Sequence, residues 1–518
     1  MAASATAAPA APLRAAMASG ERTVITIAVM LATLMQVLDT TIANVALPHM
    51  QTSLGATPET VNWVLTSYIV ASAVAIPITG WLADRVGRKR LMVTTVVVFT
   101  IASLLCGMAQ NLSQMVAFRI LQGIAGAFIV PLAQAVLFDI NPPERHGRAM
   151  AMFGGGIMIG PILGPVLGGW LTESFNWRWV FIVNLPVGIL ATVMLLRFMP
   201  ATQAVRRRFD LFGFALLALA VGGMQMMLDR GEQLDWFESW EVCIESGLAI
   251  GAAWMFVVHL MSAREPIFDP RMFADRNFAM GLLFMAVTGV LLLAGLALLP
   301  PLLQRLMGYS VLDTGFLTAP RGIGTLVSML VVGRLMGKVD ARILIFTGLA
   351  LMALSLWQMS GFALGMDSRP VIWSGVVQGL GLGFIFVPLN TLAFGTLAPR
   401  FRTTAASLLN LSRNIGGSIG ISVVTTMLAR NLQTSHADIA SQLTAARIPV
   451  ADPALAQRLG AYGDSAAALL DAEVNRQALM IAFIDDFHLM MLVTLCALPL
   501  VLLLRKARPA AGPAPVAD

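Results

Sequence analysis

Gly80-Trp81-Leu82-Ala83-Asp84-Arg85-Val86-Gly87-Arg88-Lys89-Arg90 is a charged turn bounded by glycine and set between two long apolar stretches. Gly80 and Gly87 permit close backbone approach and a tight reversal. Asp84 falls near the end of the preceding helix, where the macrodipole disfavours an anion. It therefore needs a partner, which Arg85, Arg88 or a helix elsewhere in the chain can supply. A charge lock of this kind would hold one conformation and break in another. The plainer reading is an anchor of positive charge at a membrane surface.

A weaker copy follows about 250 residues later: Gly333-Arg334-Leu335-Met336-Gly337-Lys338-Val339-Asp340-Ala341-Arg342. Between and around the two copies the chain is apolar. It is 57% hydrophobic and only 12% charged, with a mean hydropathy of +0.79. A soluble domain carries about twice that charge. A helix needs about 20 apolar residues to cross a bilayer. Fourteen such stretches are predicted, near 24–47, 61–82, 91–110, 114–138, 150–172, 179–198, 210–229, 241–262, 278–300, 312–333, 342–363, 371–394, 404–428 and 487–505.

The expected architecture is an all-α polytopic membrane protein of fourteen transmembrane helices, arranged six, two and six. Residues 1–22 read as a disordered cytoplasmic tail and 23–200 as a six-helix half. Residues 201–265 form a linker with two extra spans. Residues 266–505 form the second half, with an outer, periplasmic loop at 429–486, and 506–518 a second tail. That loop is too long to be structureless in a compact protein, so helix of its own or a partner surface is expected there.

The net charge of +6 does not point to nucleic acid, because the basic residues alternate by side. Arg85 to Arg90, Arg206 to Arg208, Arg264, Arg271, Arg276, Arg334, Lys338 and Arg342 fall at every second helix end. This asymmetry places both termini in the cytoplasm. Cys106, Cys243 and Cys496 have neither a disulfide framework nor metal-ligand spacing, and the five histidines form no cluster. No metal site, cofactor or phosphate-binding loop is read, and no nucleophile–base pair recurs. An enzyme is not expected.

The polar residues inside the spans carry the chemistry. Asp39 lies within the first apolar stretch, where an acid costs about 2.5–3.5 kcal/mol. Desolvation there favours its neutral form, as a reversible proton carrier requires; a structural hydrogen bond to a neighbouring helix is the alternative. Arg119 sits early in the fourth span, at similar depth. It can respond to the proton on Asp39 or only compensate its charge. Gly156, Gly160, Gly164 and Gly168 recur every four residues along the fifth span, with Pro161, Pro165 and Gly169 beside them. That spacing makes one smooth face for close helix packing, and the prolines permit a bend. Gln36, Asn44, Gln134, Gln378, Asn390 and Asn410 are candidates to line a cavity, with interhelical hydrogen bonding as the alternative. Arg321 and Arg413 join them, with snorkelling or backbone pairing as theirs.

Together these pieces resemble the major facilitator superfamily, in particular its fourteen-helix drug:proton antiporters, the EmrB/QacA-type multidrug efflux permeases. The resemblance rests on Leu38-Asp39-Thr40-Thr41-Ile42-Ala43-Asn44-Val45-Ala46-Leu47-Pro48, loop 80–90, Arg119 to Gly126, the Gly/Pro run at 156–169 and Asn176-Trp177-Arg178-Trp179-Val180-Phe181. It implies the major facilitator fold, with parallel halves and a site between them. It also implies proton coupling through Asp39 and Arg119 and a cytoplasmic gate at Gly80, Asp84, Arg85, Gly87 and Arg88. The implied activity is export of small amphipathic toxic compounds across a bacterial inner membrane, driven by the proton gradient without a cofactor. The implied partners are an EmrA-type periplasmic adaptor and an outer-membrane channel. An antiporter for one metabolite or siderophore, or a non-transporting membrane sensor, is the alternative.

Overall fold

The computed structural model describes residues 19–202, 208–442 and 464–505. The two tails expected to be disordered fall almost wholly outside them. The described residues hold fourteen long helices: α1 (Ser19–Ser53), α2 (Trp63–Val86), α3 (Arg88–Met108), α4 (Leu112–Ile140), α5 (His146–Ser174), α6 (Trp179–Phe198), α7 (Leu211–Arg230), α8 (Trp240–Ser262), α9 (Arg276–Leu306), α10 (Val311–Leu335), α11 (Ala341–Met359), α12 (Arg369–Gly395), α13 (Arg402–Gln442) and α14 (Asp464–Ala497). No β-strand occurs among these residues; one isolated bridge joins Met336 and Val339. Thirteen of the helices are long and apolar enough to cross a membrane. The exception is α13, whose apolar run is broken by Asn410, Ser412, Arg413 and Asn414.

Helix ends follow local chemistry. Asn111, Asp210 and Asp275 cap α4, α7 and α9 by accepting from backbone N–H groups three residues on, at 2.8–2.9 Å. Pro77 has no N–H to donate, and α2 tightens there into a 3₁₀ turn over Ile76–Ile78. Gly87 separates α2 from α3 with φ +90°. A Cβ at that position would lie 2.9 Å from the Thr202 carbonyl oxygen, so the turn requires glycine.

The two six-helix sets repeat one pairing scheme. In the first, α1 packs on α5, α2 on α4, and α3 on α4 and α6. In the second, α9 packs on α13, α10 on α12, and α11 on α12 and α14. The interface between the sets has the same symmetry: α5 lies on α10 as α13 lies on α2, and α4 meets α13 as α12 meets α5. The pair α7–α8 packs outside this core against α2 and α13. Burial agrees: 83% of the most apolar window of α4 is buried, against 28% for α8. The open face of α8 carries Ile250, Trp254 and Met261, which suit lipid rather than water.

Two boundaries differ from expectation. The helix expected within 429–486 is present in its described parts as extensions of the neighbouring spans: α13 runs on to Gln442 rather than ending near 428, and α14 begins at Asp464 rather than near 487. The cause is composition. Residues 429–442 and 464–486 hold no proline and are rich in good helix formers such as Ala, Leu and Gln, and the membrane-length apolar stretch of α14 itself begins at Ala468, before 487. Hydropathy marks only the apolar part of such a helix. At 1.5 Å per residue α13 is about 60 Å long, twice the hydrocarbon thickness. His436 and Asp471 join the two extensions at 3.0 Å.

Candidate functional site

Asp39 is fully buried near the middle of α1. Its Oδ2 accepts from Arg119 Nη1 of α4 at 2.7 Å. Its Oδ1 accepts from Gln122 Nε2 at 2.8 Å and from Asn184 Nδ2 of α6 at 3.0 Å. Three helices thus close on one carboxylate. Arg119, 1% exposed, also donates from Nε to the Val64 carbonyl at 2.9 Å and from Nη1 to Gln122 Oε1 at 2.8 Å. Its guanidinium lies 4.3 Å from the Tyr68 ring centroid and 5.7 Å from that of Phe181. Asn184 is fixed in turn by Ser103 at 2.9 Å, whose hydroxyl donates to the Phe181 carbonyl.

The arrangement has two chemical consequences. A buried acid and base satisfy each other, as burial requires. Arg119 also keeps a carbonyl, an amide oxygen and an aromatic face when Asp39 is neutral. It has somewhere to go, so a proton on Asp39 would loosen the pair without stranding a charge.

The glycine stripe of α5 serves this site from behind. Gly156 faces Met30, Gly160 faces Val37, Gly164 faces Thr41, and Gly168 faces Ile42 and Val45, in the same order along α1. A Cβ on Gly160 would lie 2.8 Å from Val37 Cγ1, and one on Gly164 would run into the Thr41 side chain. Gly169 meets nothing within 4 Å and is outside the stripe. Pro161 and Pro165 point away from α1. They line a recess of about 80 Å³ between the two halves, with Leu292, Leu299, Thr318 and Arg321 on its far side.

At the Arg-rich face, loop 80–90 meets the second half. A Cβ on Gly80 would collide with Thr404 of α13. Arg85 lies over the Trp81 ring at 5.3 Å. Arg88 pairs with Asp139 at the end of α4, and Arg402 of α13 donates to the same carboxylate at 3.0 Å. The Arg88 backbone N–H donates to Thr202 Oγ1 at 2.7 Å. Asp84 lies close enough to Arg88 to act on its charge, and Asp139 joins the halves through Arg402.

The cavity candidates divide. Gln134 and Asn410 meet across the halves at 2.8 Å. Gln36 donates to the Tyr68 hydroxyl at 3.0 Å, which ties it to Arg119. Arg321 and Gln378 converge beside Gly295. Asn44 is exposed and bonds only its own helix, at Thr40. Asn390 donates to the Phe386 carbonyl one turn back. Arg413 lies where α13 touches Gly289 of α9 through its backbone. These three are not brought to a common cavity.

Sequence reasoning did not find Gln122, Asn184, Ser103, Tyr68, Asp139 or Arg402. A signal existed for Gln122, which stands three residues from Arg119 on the same helix face. No spacing signal tied the others to their partners.

Comparison with known proteins gives a consistent picture. The family model described as Major Facilitator Superfamily matches residues 29–421. The multidrug export protein EmrB of Escherichia coli (strain K12) is 36% identical over 486 residues, covering 92% of this chain and 94% of that protein. The fatty acid resistance protein FarB of Neisseria gonorrhoeae is 36% identical over 422 residues, covering 81% and 83%. Among solved structures, the proton:xylose symporter XylE superposes with a TM-score of 0.57 at 12% identity, covering 93% of this chain and 96% of that one; this likeness concerns the fold.

Proposed function

The chain belongs to the EmrB-type multidrug exporters of the major facilitator superfamily, and we propose that it drives efflux by exchanging protons through Asp39 and Arg119. The observation that carries this reading is the Asp39 carboxylate, fully buried and held by Arg119, Gln122 and Asn184. A proton from outside neutralises Asp39 and weakens its pull on Arg119. Arg119 then leans on Val64 O, Gln122 and Tyr68. The slack is felt along α1, whose Val37 and Thr41 lie against Gly160 and Gly164 of α5. Because α5 also lines the recess between the halves, a shift of α1 against it changes that recess. One helix thereby links the proton site to the substrate path.

In this scheme the Arg-rich face is cytoplasmic, the membrane is the bacterial inner membrane, and the Asp139–Arg402 pair is the inner gate. The proton gradient supplies the energy, and no cofactor is needed. The extended ends of α13 and α14 suit a periplasmic adaptor of the membrane-fusion type, with an outer-membrane channel beyond it.

The test is substrate-dependent proton flux in proteoliposomes holding the purified chain. Adding an amphipathic substrate to vesicles under a pH gradient should dissipate that gradient. An unchanged gradient while substrate moves would remove proton coupling from the reading.

A further inference from the structure

Asp486 stands on α14 and is fully buried. Neither of its carboxylate oxygens has a hydrogen-bond partner among the described residues. Asp39, by contrast, takes donors from Arg119, Gln122 and Asn184. α14 packs against α9, α11 and α13, and none of these helices holds Asp39 or a side chain that bonds to it. Beside Asp486, Phe487 lies against Phe362 just past the end of α11, with ring centroids 6.0 Å apart. The Arg505 backbone N–H donates to Asn277 at the Arg-rich end of α9, at 2.8 Å. Asp486 lies about 28 Å along the chain's helical rise from that anchor, close to the full hydrocarbon thickness. The carboxyl is therefore inside the protein but near the rim opposite the Arg-rich face.

No counter-charge reaches it among the described residues. The charged or titratable side chains on the packed helices are Arg276 and Arg305 of α9, Arg342 of α11, and Arg402, Arg413, Arg430, His436 and Asp438 of α13. Arg342 pairs with Asp340, Arg402 with Asp139 and His436 with Asp471. Arg276, Arg305, Arg430 and Asp438 are exposed. Arg413 lies about 12 Å nearer the Arg-rich face by helical rise. On α14 itself, Asp485 and His488 are exposed, and Asp485 has the same sign. No three His, Cys, Asp or Glu side chains among the described residues gather to hold a metal ion. An ionised carboxylate with neither donor nor counter-charge costs far more to bury than a neutral carboxyl. The ligand that such a group takes without a cavity or further partners is a proton.

We propose that Asp486 is a second proton-binding site, separate from Asp39 and exchanging with water at the face opposite the Arg-rich loops. The proton adds to a carboxylate oxygen and leaves to water, and no other bond changes. Proton binding here is independent of the efflux reading, which needs only Asp39 and Arg119.

The experiment is infrared difference spectroscopy of the full chain in a detergent that has no carbonyl group, at neutral and alkaline pH and without substrate. The C=O stretch of a protonated carboxyl is resolved from the bands of ionised carboxylate. At neutral pH wild type should show a protonated carboxyl that Asp486→Asn lacks, a loss of one per chain, and Asp39→Asn should keep it. In wild type that band should give way to carboxylate as the pH is raised. Asp486→Glu keeps an acid on a longer arm and should shift the band without removing it. A neutral-pH spectrum of Asp486→Asn equal to that of wild type overturns the proposal. So does a band that survives in alkali while the chain stays folded, since the site then exchanges no proton. If Asp486→Asn does not fold, Asp486→Glu decides alone, and an unshifted band overturns the proposal. Failure of the efflux reading looks different: the Asp486 band behaves as stated, yet substrate moves in proteoliposomes without dissipating a pH gradient.

Discussion

Arg402, at the first turn of α13, donates to Asp139, at the last turn of α4, at 3.0 Å. Among the described residues this is the ion pair that crosses between the two halves, and Arg88 holds the same carboxylate from the first half. Both side chains of the crossing pair are 14% exposed, so solvent screens it only in part. Asp139→Asn keeps the shape and removes the charge from both arginines. We expect about a tenfold shift toward a state open at the Arg-rich face, the effect of losing about 1.5 kcal/mol. The measurement is thiol labelling of a cysteine placed at Ser407, which is fully buried in the closed state, in a background lacking Cys106, Cys243 and Cys496. An unchanged labelling rate would mean that the gate is held elsewhere.

Asp39→Asn is nearly isosteric and cannot exchange a proton in the working range. Its amide can still accept from Gln122 or Asn184, so the fold should survive. Proton-driven uphill efflux is expected to fall to the background of empty vesicles, while substrate binding stays within about threefold of wild type. Full uphill efflux by this variant would take Asp39 out of the coupling step.

Arg119 makes its contacts from different nitrogens of one plane: Nε to Val64 O, and Nη1 to Asp39 and Gln122. A lysine has the charge but not the fork or the flat face that lies over Tyr68. Arg119→Lys should therefore retain the fold and lose about tenfold or more in proton-coupled rate. Wild-type rates in the lysine variant would leave Arg119 as a compensating charge only.

Much of this was legible in the sequence, for physical reasons that differ residue by residue. The spans follow from hydropathy, and Asp39 and Arg119 stand out because charge inside an apolar run is costly. The stripe from Gly156 to Gly168 announces its face by its period. What pairs with what is another matter. Asp139 lies at a helix end, where acids are common, and only the tertiary fold brings Arg88 and Arg402 to it. Asn184 carries no spacing signal that ties it to Asp39 until α6 is placed beside α1. The helical extension of α13 past residue 428 is invisible to hydropathy, since nothing apolar marks it.

Gly164 tests the stripe. The site of its missing Cβ is already filled by Thr41 of α1, so every added carbon must push α1 and α5 apart. Overpacking of this kind costs about 1–3 kcal/mol. Gly164→Leu should reach the membrane in normal amounts yet export nothing, and Gly164→Ala should fall between. Gly169→Ala, at a position that meets nothing within 4 Å, should export at the native rate. Native export by Gly164→Leu would show that the close approach of α5 to α1 is dispensable.

The extended ends of α13 and α14 separate transport from partner docking. They lie beyond what about 30 Å of hydrocarbon needs, and His436 and Asp471 hold them together at 3.0 Å. Neither belongs to the Asp39 site or to the recess. We therefore expect deletion of residues 436–471, rejoined through a Gly/Ser linker of about ten residues, to leave proton-coupled transport in proteoliposomes within about twofold of wild type. The same deletion should abolish resistance in cells that supply a periplasmic adaptor, because the exporter then releases its substrate without a conduit. The two measurements must be made on one deletion. Equal loss in vesicles and cells would place these helical ends inside the transport cycle, and retention in both would show that no adaptor docks there.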